Sequence, residues 1–441
     1  MSEKLALFGG PKAVQTPVED TFTWPALDQA AEEAALAVLR RGAMSGMDVT
    51  QEFEKEYAAW QGTEYALAFS SGTAALLAAM YACGVRAGDE IIAPSLTYWA
   101  TALPVFSLRA SIVFADVEAH SLCLDPADIE HRITDRTKAI VVVHYCAYPA
   151  DMDPIMEIAE RHGLKVIEDV SHAHGGIYKG RKVGSIGHAA GMSLMSGKAL
   201  AIGEGGMMTT NDRDIHEYAT AWGHYGRFND SIQNADLRPF MGLPIGGCKG
   251  RMHQVSSAVG RVQLSEYDAK NTEILQAMHY FWDLLEGVPG IKAHRPPRNS
   301  DRDMGGWYAA HGLYCREELG GLSITRFCQA VSAEGVSTSP GCNRPLHLHP
   351  LLNTCDIYGE GAPTAIVHAD RDLRQGPGSL PVTEAAGRHA FRIPWFKHFR
   401  KELIEEHALA FRKVAENYQA LLPDDPGDAE NLGDWHFFSH G

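Results

Sequence analysis

The chain has 441 residues, 45% hydrophobic and 21% charged, a balance that supports two domains with real cores and excludes extensive disorder. A net charge of −16, with no run of Lys or Arg, argues against a nucleic-acid surface. No segment reads as a signal peptide or a bilayer span, and the eight cysteines are scattered with no CxxC pair, so a cytoplasmic protein with reduced, mostly buried thiols is expected.

Residues 1–30 carry prolines and little periodicity, and read as an arm laid over a domain or a neighbouring subunit. An Ala-rich helical pattern follows over 30–41. Between 65 and 210, short apolar runs at 65–69, 90–93, 111–114, 139–143, 165–168, 191–194 and 206–209 predict strands. Helical spacing separates some of them, over 73–83, 126–133 and 154–161. Asp125 before Pro126 reads as an N-cap with proline in the first turn. This alternation predicts a mainly parallel sheet covered on both faces, with ligands beyond the carboxyl ends of its strands. Residues 252–264 predict a helix and a polar helix continues to about 285. The expected organisation is an arm (1–30), a large α/β domain (31–272) and a smaller α+β domain (273–441), with a polar, loosely attached tail from 427.

The strand ends carry the chemistry. Lys198 lies in Ser193-Leu194-Met195-Ser196-Gly197-Lys198, ahead of Gly203-Glu204-Gly205-Gly206. Lysine is the side chain that forms a readily exchangeable imine with an aldehyde, and it must be partly desolvated to be nucleophilic near neutral pH. Asp169, after Glu168, either keeps a pyridine nitrogen protonated or merely ends a strand. His172 could donate to a phenolic oxygen or be a core histidine, and Tyr98 could stack on a flat ring or pack at a strand exit. Ser71-Gly72-Thr73 opens a helix after a strand, as either a phosphate cradle or a plain N-cap. Ser193 could add a hydroxyl to a phosphate. His347 and His349 would share a strand face as metal ligands or splay apart in a loop.

Together these residues resemble the DegT/StrS aminotransferases. The matching motifs are Ser71-Gly72-Thr73-Ala74-Ala75-Leu76, Gly88-Asp89-Glu90-Ile91-Ile92-Ala93-Pro94, Pro149-Ala150-Asp151-Met152-Asp153, Glu168-Asp169, Ala173-His174-Gly175, and Lys198 followed by Gly203-Glu204-Gly205-Gly206. They run in the family's order over about residues 30–265, with a thinner match at Pro345-Leu346-His347-Leu348. The resemblance implies a pyridoxal 5'-phosphate enzyme of the aspartate-aminotransferase-like type I fold, with a mainly parallel seven-stranded sheet and a smaller C-terminal α+β domain. It also implies a homodimer with active sites shared between subunits. Glutamate or glutamine would donate nitrogen to a nucleotide-linked keto-sugar or a keto-cyclitol. Lys198 would form the imine and Asp169 would meet the pyridine nitrogen. Gly72, Thr73 and Ser193 would hold the phosphate, Tyr98 would stack on the ring, and His347 would lie near the sugar pocket.

Three departures accompany the resemblance. His172 stands where most members have glutamine, and its charge could tune the imine. Lys249 stands where many members have an asparagine that reaches the partner's phosphate, and would bring a full charge to the dianion. Segments 229–246 and 298–305 are longer than usual and are expected to shape the acceptor pocket. Sugar dehydratases of this fold typically replace the lysine with histidine, so Lys198 argues against that activity. A regulatory protein that binds the cofactor without catalysis would have no chemical need for the full set. A Rossmann dehydrogenase lacks its GxGxxG.

Overall fold

A computed structural model describes residues 4–17 and 21–435. Asp28 caps helix α1 (Gln29–Arg40), its carboxylate accepting the Ala31 N–H at 2.9 Å. Helix α2 (Asp48–Gln61), which the sequence pattern did not signal, leads into strand β1 (Tyr65–Phe69) and helix α3 (Gly72–Ala82). Strands β2 (Glu90–Pro94) and β3 (Ser111–Ala115), helix α4 (Pro126–Arg132), strand β4 (Thr137–Val143), helix α5 (Met152–His162) and strand β5 (Lys165–Asp169) follow. After the short strands β6 (Ile177–Tyr178) and β7 (Arg181–Lys182) come β8 (Ala189–Ser193) and β9 (Gly206–Thr210).

The seven-stranded sheet has the order β1-β9-β8-β5-β4-β2-β3. It is parallel from β3 to β8, whereas β9 runs antiparallel to both of its neighbours. The reversal has a local cause. β8 and β9 are joined by a tight loop whose backbone pairs across itself, Leu194 N–H to Gly205 O at 2.9 Å and Ser196 N–H to Gly203 O at 2.8 Å. That loop carries Lys198 and holds it at the carboxyl end of β5 and β8. Successive strand residues enter opposite cores: Ile140 and Val142 pack in one, Ala139 and Val141 in the other.

Helix α6 (Arg213–Gly223), also not signalled by the sequence, packs beside α3. The two helices expected to meet near 264 are one, α7 (Gln254–Leu284), because Tyr267, Asn271 and Ile274 continue its buried face past the polar stretch. It runs through position 272, so the large and small regions share it. Beyond it, β10 (Ile291–Ala293), β11 (Arg302–Asp303) and β12 (His311–Tyr314) precede helix α8 (Ile324–Ala333). β13 (Ala390–Arg392) completes an antiparallel sheet of order β10-β12-β13, and the long helix Lys401–Glu416 packs on α7 and α8. β11 pairs with β6, tying the two regions together.

One expectation changes here. The tail is not loose up to its last described residue: the Arg344 N–H donates to Asp434 O at 3.0 Å, and Trp435 sits edge-on to His349 at 4.6 Å. Residues 436–441 lie outside the described part. The 229–246 segment lines a separate groove with Tyr81 and Tyr218 rather than the cavity that holds Lys198. No helix among the described residues is long and apolar enough to cross a membrane, and all eight cysteines are free thiols.

Candidate active site

The carboxyl ends of β1, β2, β5 and β8 enclose a cavity of about 240 Å³. Seven of the nine residues singled out from the sequence line it: Gly72, Thr73, Tyr98, Asp169, His172, Ser193 and Lys198. The sheet register explains their meeting, since Asp169 pairs with Gly191 and with Val143, bringing three strand ends level.

On one wall, the Ser71 side chain caps α3 by accepting the Ala74 N–H at 3.1 Å. A Cβ on Gly72 would stand 2.7 Å from the Cα, Cβ and N of Ser193, and one on Gly206 would stand 2.3 Å from the Ser71 carbonyl. The glycines therefore let the helix N-terminus close directly onto β8 and β9. The result is a cradle of main-chain N–H groups with the Ser193 hydroxyl beside it, suited to an anion. The Ser193 N–H donates to Ser171 Oγ at 3.0 Å, and its Oγ accepts from the Met195 N–H at 3.3 Å, so the hydroxyl is oriented in advance.

Opposite, Asp169 is buried and held by two donors: Thr101 Oγ1 to Oδ2 at 2.7 Å and the Ser171 N–H to Oδ1 at 3.0 Å. Its neighbour Glu168 points to the other face of β5 and does structural work. It accepts the N–H groups of Gly184, Ile186 and Gly187 at 2.7, 2.8 and 2.6 Å and meets His144 Nε2 at 3.0 Å.

Lys198 is only 6% exposed. Burial lowers its pKa to about 7, against the opposing influence of Asp169 and Cys146. A large fraction is therefore the neutral amine at physiological pH, as nucleophilic attack on an aldehyde and proton abstraction both require. His172 is fully enclosed, and burial, reinforced by the nearby Lys198, holds its pKa well below the ordinary imidazole value. Its Nδ1 accepts the Cys146 N–H at 3.3 Å, which leaves the proton of the neutral ring on Nε2 as a donor. A neutral ring there offers an N–H donor and no positive charge.

Two residues stand apart. Lys249 is exposed and outside this cavity, its Nζ 6.0 Å from the Tyr225 ring. His347 is buried but also does not line the cavity. Its Nδ1 lies 2.8 Å from Ser95 Oγ and its Nε2 3.2 Å from Glu384 Oε1, so both ring nitrogens are engaged within the chain. His349 turns away to cap Leu351 N at 3.1 Å, so the two histidines splay apart. No group of metal-ligating side chains occurs among the described residues.

Sequence reasoning missed Tyr308, whose ring lies 3.9 Å from Lys198 Nζ, and Trp24, whose indole N–H donates to Lys198 O at 2.8 Å. The Gly305-Gly306-Trp307-Tyr308 run ahead of β12 was the available signal for the former. The set as a whole fits pyridoxal 5'-phosphate. It provides an anion cradle that a Cβ at Gly72 would fill, a fixed carboxylate for a pyridinium nitrogen, an aromatic side chain, and a lysine able to lose its proton.

Comparison with known proteins agrees with this chemistry. The chain is 38% identical over 444 residues to the L-glutamine:2-deoxy-scyllo-inosose aminotransferase of Streptomyces paromomycinus, covering 96% of this chain and 100% of that protein. It is 33% identical over 435 residues to the L-glutamine:scyllo-inosose aminotransferase of Streptomyces griseus, with the same coverage. It is 42% identical over 341 residues to the GDP-perosamine synthase of Caulobacter vibrioides, covering 73% of this chain and 86% of that one. Among solved structures, the aminotransferase from Psychrobacter cryohalolentis superposes with a TM-score of 0.78 at 28% identity, covering 90% of this chain and 99% of that one. The profile of the DegT/DnrJ/EryC1/StrS aminotransferase family matches residues 25–406, and the chain belongs to that pyridoxal-phosphate-dependent family.

Proposed function

We propose that this enzyme takes the amino group of L-glutamine or L-glutamate and delivers it to the ketone of a cyclitol. The observation that carries the chemistry is the buried Lys198 with a pKa near 7 in the same cavity as the doubly held Asp169. The acceptor class is supported by the two inosose aminotransferases aligned over 96% of the chain. A nucleotide-linked keto-sugar is the second reading, favoured by the 42% identity to GDP-perosamine synthase over a shorter span.

Pyridoxal 5'-phosphate, when bound, supplies the electron sink for breaking the α-C–H bond and carries the nitrogen between substrates. Around it, the chain's residues divide the work. Asp169 holds a proton on the pyridine nitrogen, and the N–H groups of Gly72 and Thr73 with the Ser193 hydroxyl anchor the phosphate. Tyr98 covers the ring, and His172 Nε2 donates to the phenolic oxygen. Lys198 Nζ would take the proton from the substrate α-carbon and hold it for return in the 1,3-proton shift.

The protein works, on this reading, as a cytoplasmic homodimer with shared sites, its large part passing into the small one within α7, near 272. Lys198 is the one lysine or arginine lining the cavity among the described residues, and a phosphate dianion calls for more cationic charge than that. Lys249, exposed on its own chain, is the natural supplier from the partner subunit, and His347 supports the acceptor pocket from behind through Ser95.

The purified enzyme is expected to be yellow, and borohydride should fix the cofactor onto Lys198. Glutamine or glutamate should bleach the band, and the bleached enzyme should then aminate scyllo-inosose or its 2-deoxy form. A colourless protein that ignores added pyridoxal phosphate would overturn the reading. Amination confined to nucleotide-linked keto-hexoses would select the second acceptor class. Lys198→Ala should retain the fold and lose both fixation and transamination.

A further inference from the structure

Three aromatic residues far apart in sequence meet around Lys198. Trp24, in the N-terminal arm, donates its indole N–H to the Lys198 carbonyl at 2.8 Å. Its ring lies 5.7 Å from that of Trp395, which in turn meets the Tyr308 ring edge-on at 6.1 Å. Tyr308 presents its ring 3.9 Å from Lys198 Nζ and leans on His172 at 5.0 Å. We propose that Trp24, Trp395 and Tyr308 form a clamp that positions Lys198 at both ends, the indole fixing its main chain and the phenol ring facing its ammonium.

The backbone around Tyr308 is strained in the manner of a part built for position. Trp307 and Ala309, on either side, both have φ of 54°, a left-handed conformation unfavourable for side-chain-bearing residues. The segment is wedged so closely that a Cβ on Gly305 would stand 2.3 Å from Ala173 O. The Gly306 N–H donates to Asn271 Oδ1 at 3.0 Å and fixes it further. The loop opposite carries the same signature, with positive φ at Cys146 (48°) and Ala147 (73°). Two left-handed residues thus flank Tyr308, and two more lie in the loop that carries Cys146.

The clamp answers a chemical difficulty. Burial favours the neutral amine, yet a lysine that takes a proton from the substrate must become an ammonium in the same enclosed space before giving it back. A ring face stabilises that cation without adding to the counter-charge that Asp169 already supplies. Around Lys198 stand Asp169 at the end of β5, Cys146 in the opposing loop, His172 and His174 beyond β5, and Glu204 on the wall of the same cavity. Both histidines are held neutral by burial, His174 at about 3, so they add no positive charge.

The inference rests on Lys198 being the reacting lysine, but its first test does not. In the full-length chain freed of cofactor, the pH dependence of Lys198 labelling by an amine reagent is read by peptide mass spectrometry. Tyr308→Leu should lower the labelling midpoint by about one pH unit, the loss of roughly a tenfold preference for the ammonium, whereas Tyr308→Phe should leave it in place. An unchanged or raised midpoint in Tyr308→Leu, or an equal fall in Tyr308→Phe, would overturn the ring's role. Trp24→Phe in the holoenzyme keeps the ring and removes the donor. It should slow the donor-driven bleaching about fivefold at saturation with KM for the donor unchanged. An unchanged rate, or a change in KM alone, would overturn the anchoring role.

Discussion

Glu168 and Asp169 are adjacent carboxylates with opposite duties, and strand alternation assigns them. Asp169 shares a face of β5 with Ile167, on the α3 side where the cavity opens, whereas Glu168 shares a face with Val166. Burial pushes the Glu168 pKa up, but His144 and the N–H groups of Gly184 and Gly187 outweigh it and hold the carboxyl below the usual glutamate value. A depressed carboxyl stabilises the fold fully above its unfolded pKa of about 4.5 and loses that contribution as pH falls through the lower folded value. Glu168→Gln should therefore cost about 3 kcal/mol at pH 7, leaving buried donors half-answered, and the penalty should shrink at pH values below 4. Denaturant unfolding at the two pH values checks both statements. The paired acids were legible in the sequence, as were Lys198, the glycines and Ser193, because each is local to a strand end. Tyr308 and Trp24 were not legible, since their meaning lies in contacts across 110 and 174 positions that no short pattern records.

Among elements, the sheet and the helices between 65 and 210 could be read from apolar spacing, and two helices just outside that stretch escaped for one cause. Helices α2 and α6, on either side of that stretch, each place a carboxylate on the buried face. Glu54 is answered there by Arg227 at 2.6 Å, and Glu217 by the N–H groups of Gln233 and Asn234 at 3.0 and 2.7 Å. A charge at a core-facing position breaks the apolar pattern, and its partner lies too far along the chain to restore it. The N-terminal arm is the other case: its irregularity was visible, its destination was not. Glu334 accepts the Ala6 N–H at 2.8 Å and the Ala13 N–H at 3.0 Å, and pairs with Lys413 at 2.9 Å, both charged side chains being deeply buried. Lys413 also donates to Pro11 O at 2.8 Å, so one ion pair clips the arm to the small region. Glu334→Gln should cost about 3 to 5 kcal/mol by stranding the lysine. Limited proteolysis should then cut within residues 4–17 before any other site, and an unchanged cleavage pattern would show that the arm is held elsewhere.

At the scale of the whole molecule, a single chain leaves two features unresolved. Among the described residues its cavity offers a phosphate no cationic side chain besides Lys198, and Phe240 and Leu243 stand 60% and 77% exposed in a segment that leads to Lys249. An exposed apolar surface of this kind calls for a covering partner, and a second copy would resolve both features by carrying Lys249 into the neighbour's cavity. The arrangement predicts an asymmetry that only shared sites produce. Homodimers of Lys198→Ala have no reacting lysine in either site, and homodimers of Lys249→Ala should bind the cofactor at least tenfold more weakly in both. In a mixed dimer of the two variants, one site receives both defects and the other receives neither. Dissociating and reassociating an equal mixture should therefore restore about a quarter of wild-type activity, since half the dimers are mixed and each has one native site. If Lys249 served its own chain, every site in every dimer would keep one defect, and mixing would restore nothing. Activity regained on mixing, at cofactor concentrations too low to saturate the Lys249→Ala homodimer, thus reports which subunit supplies the charge.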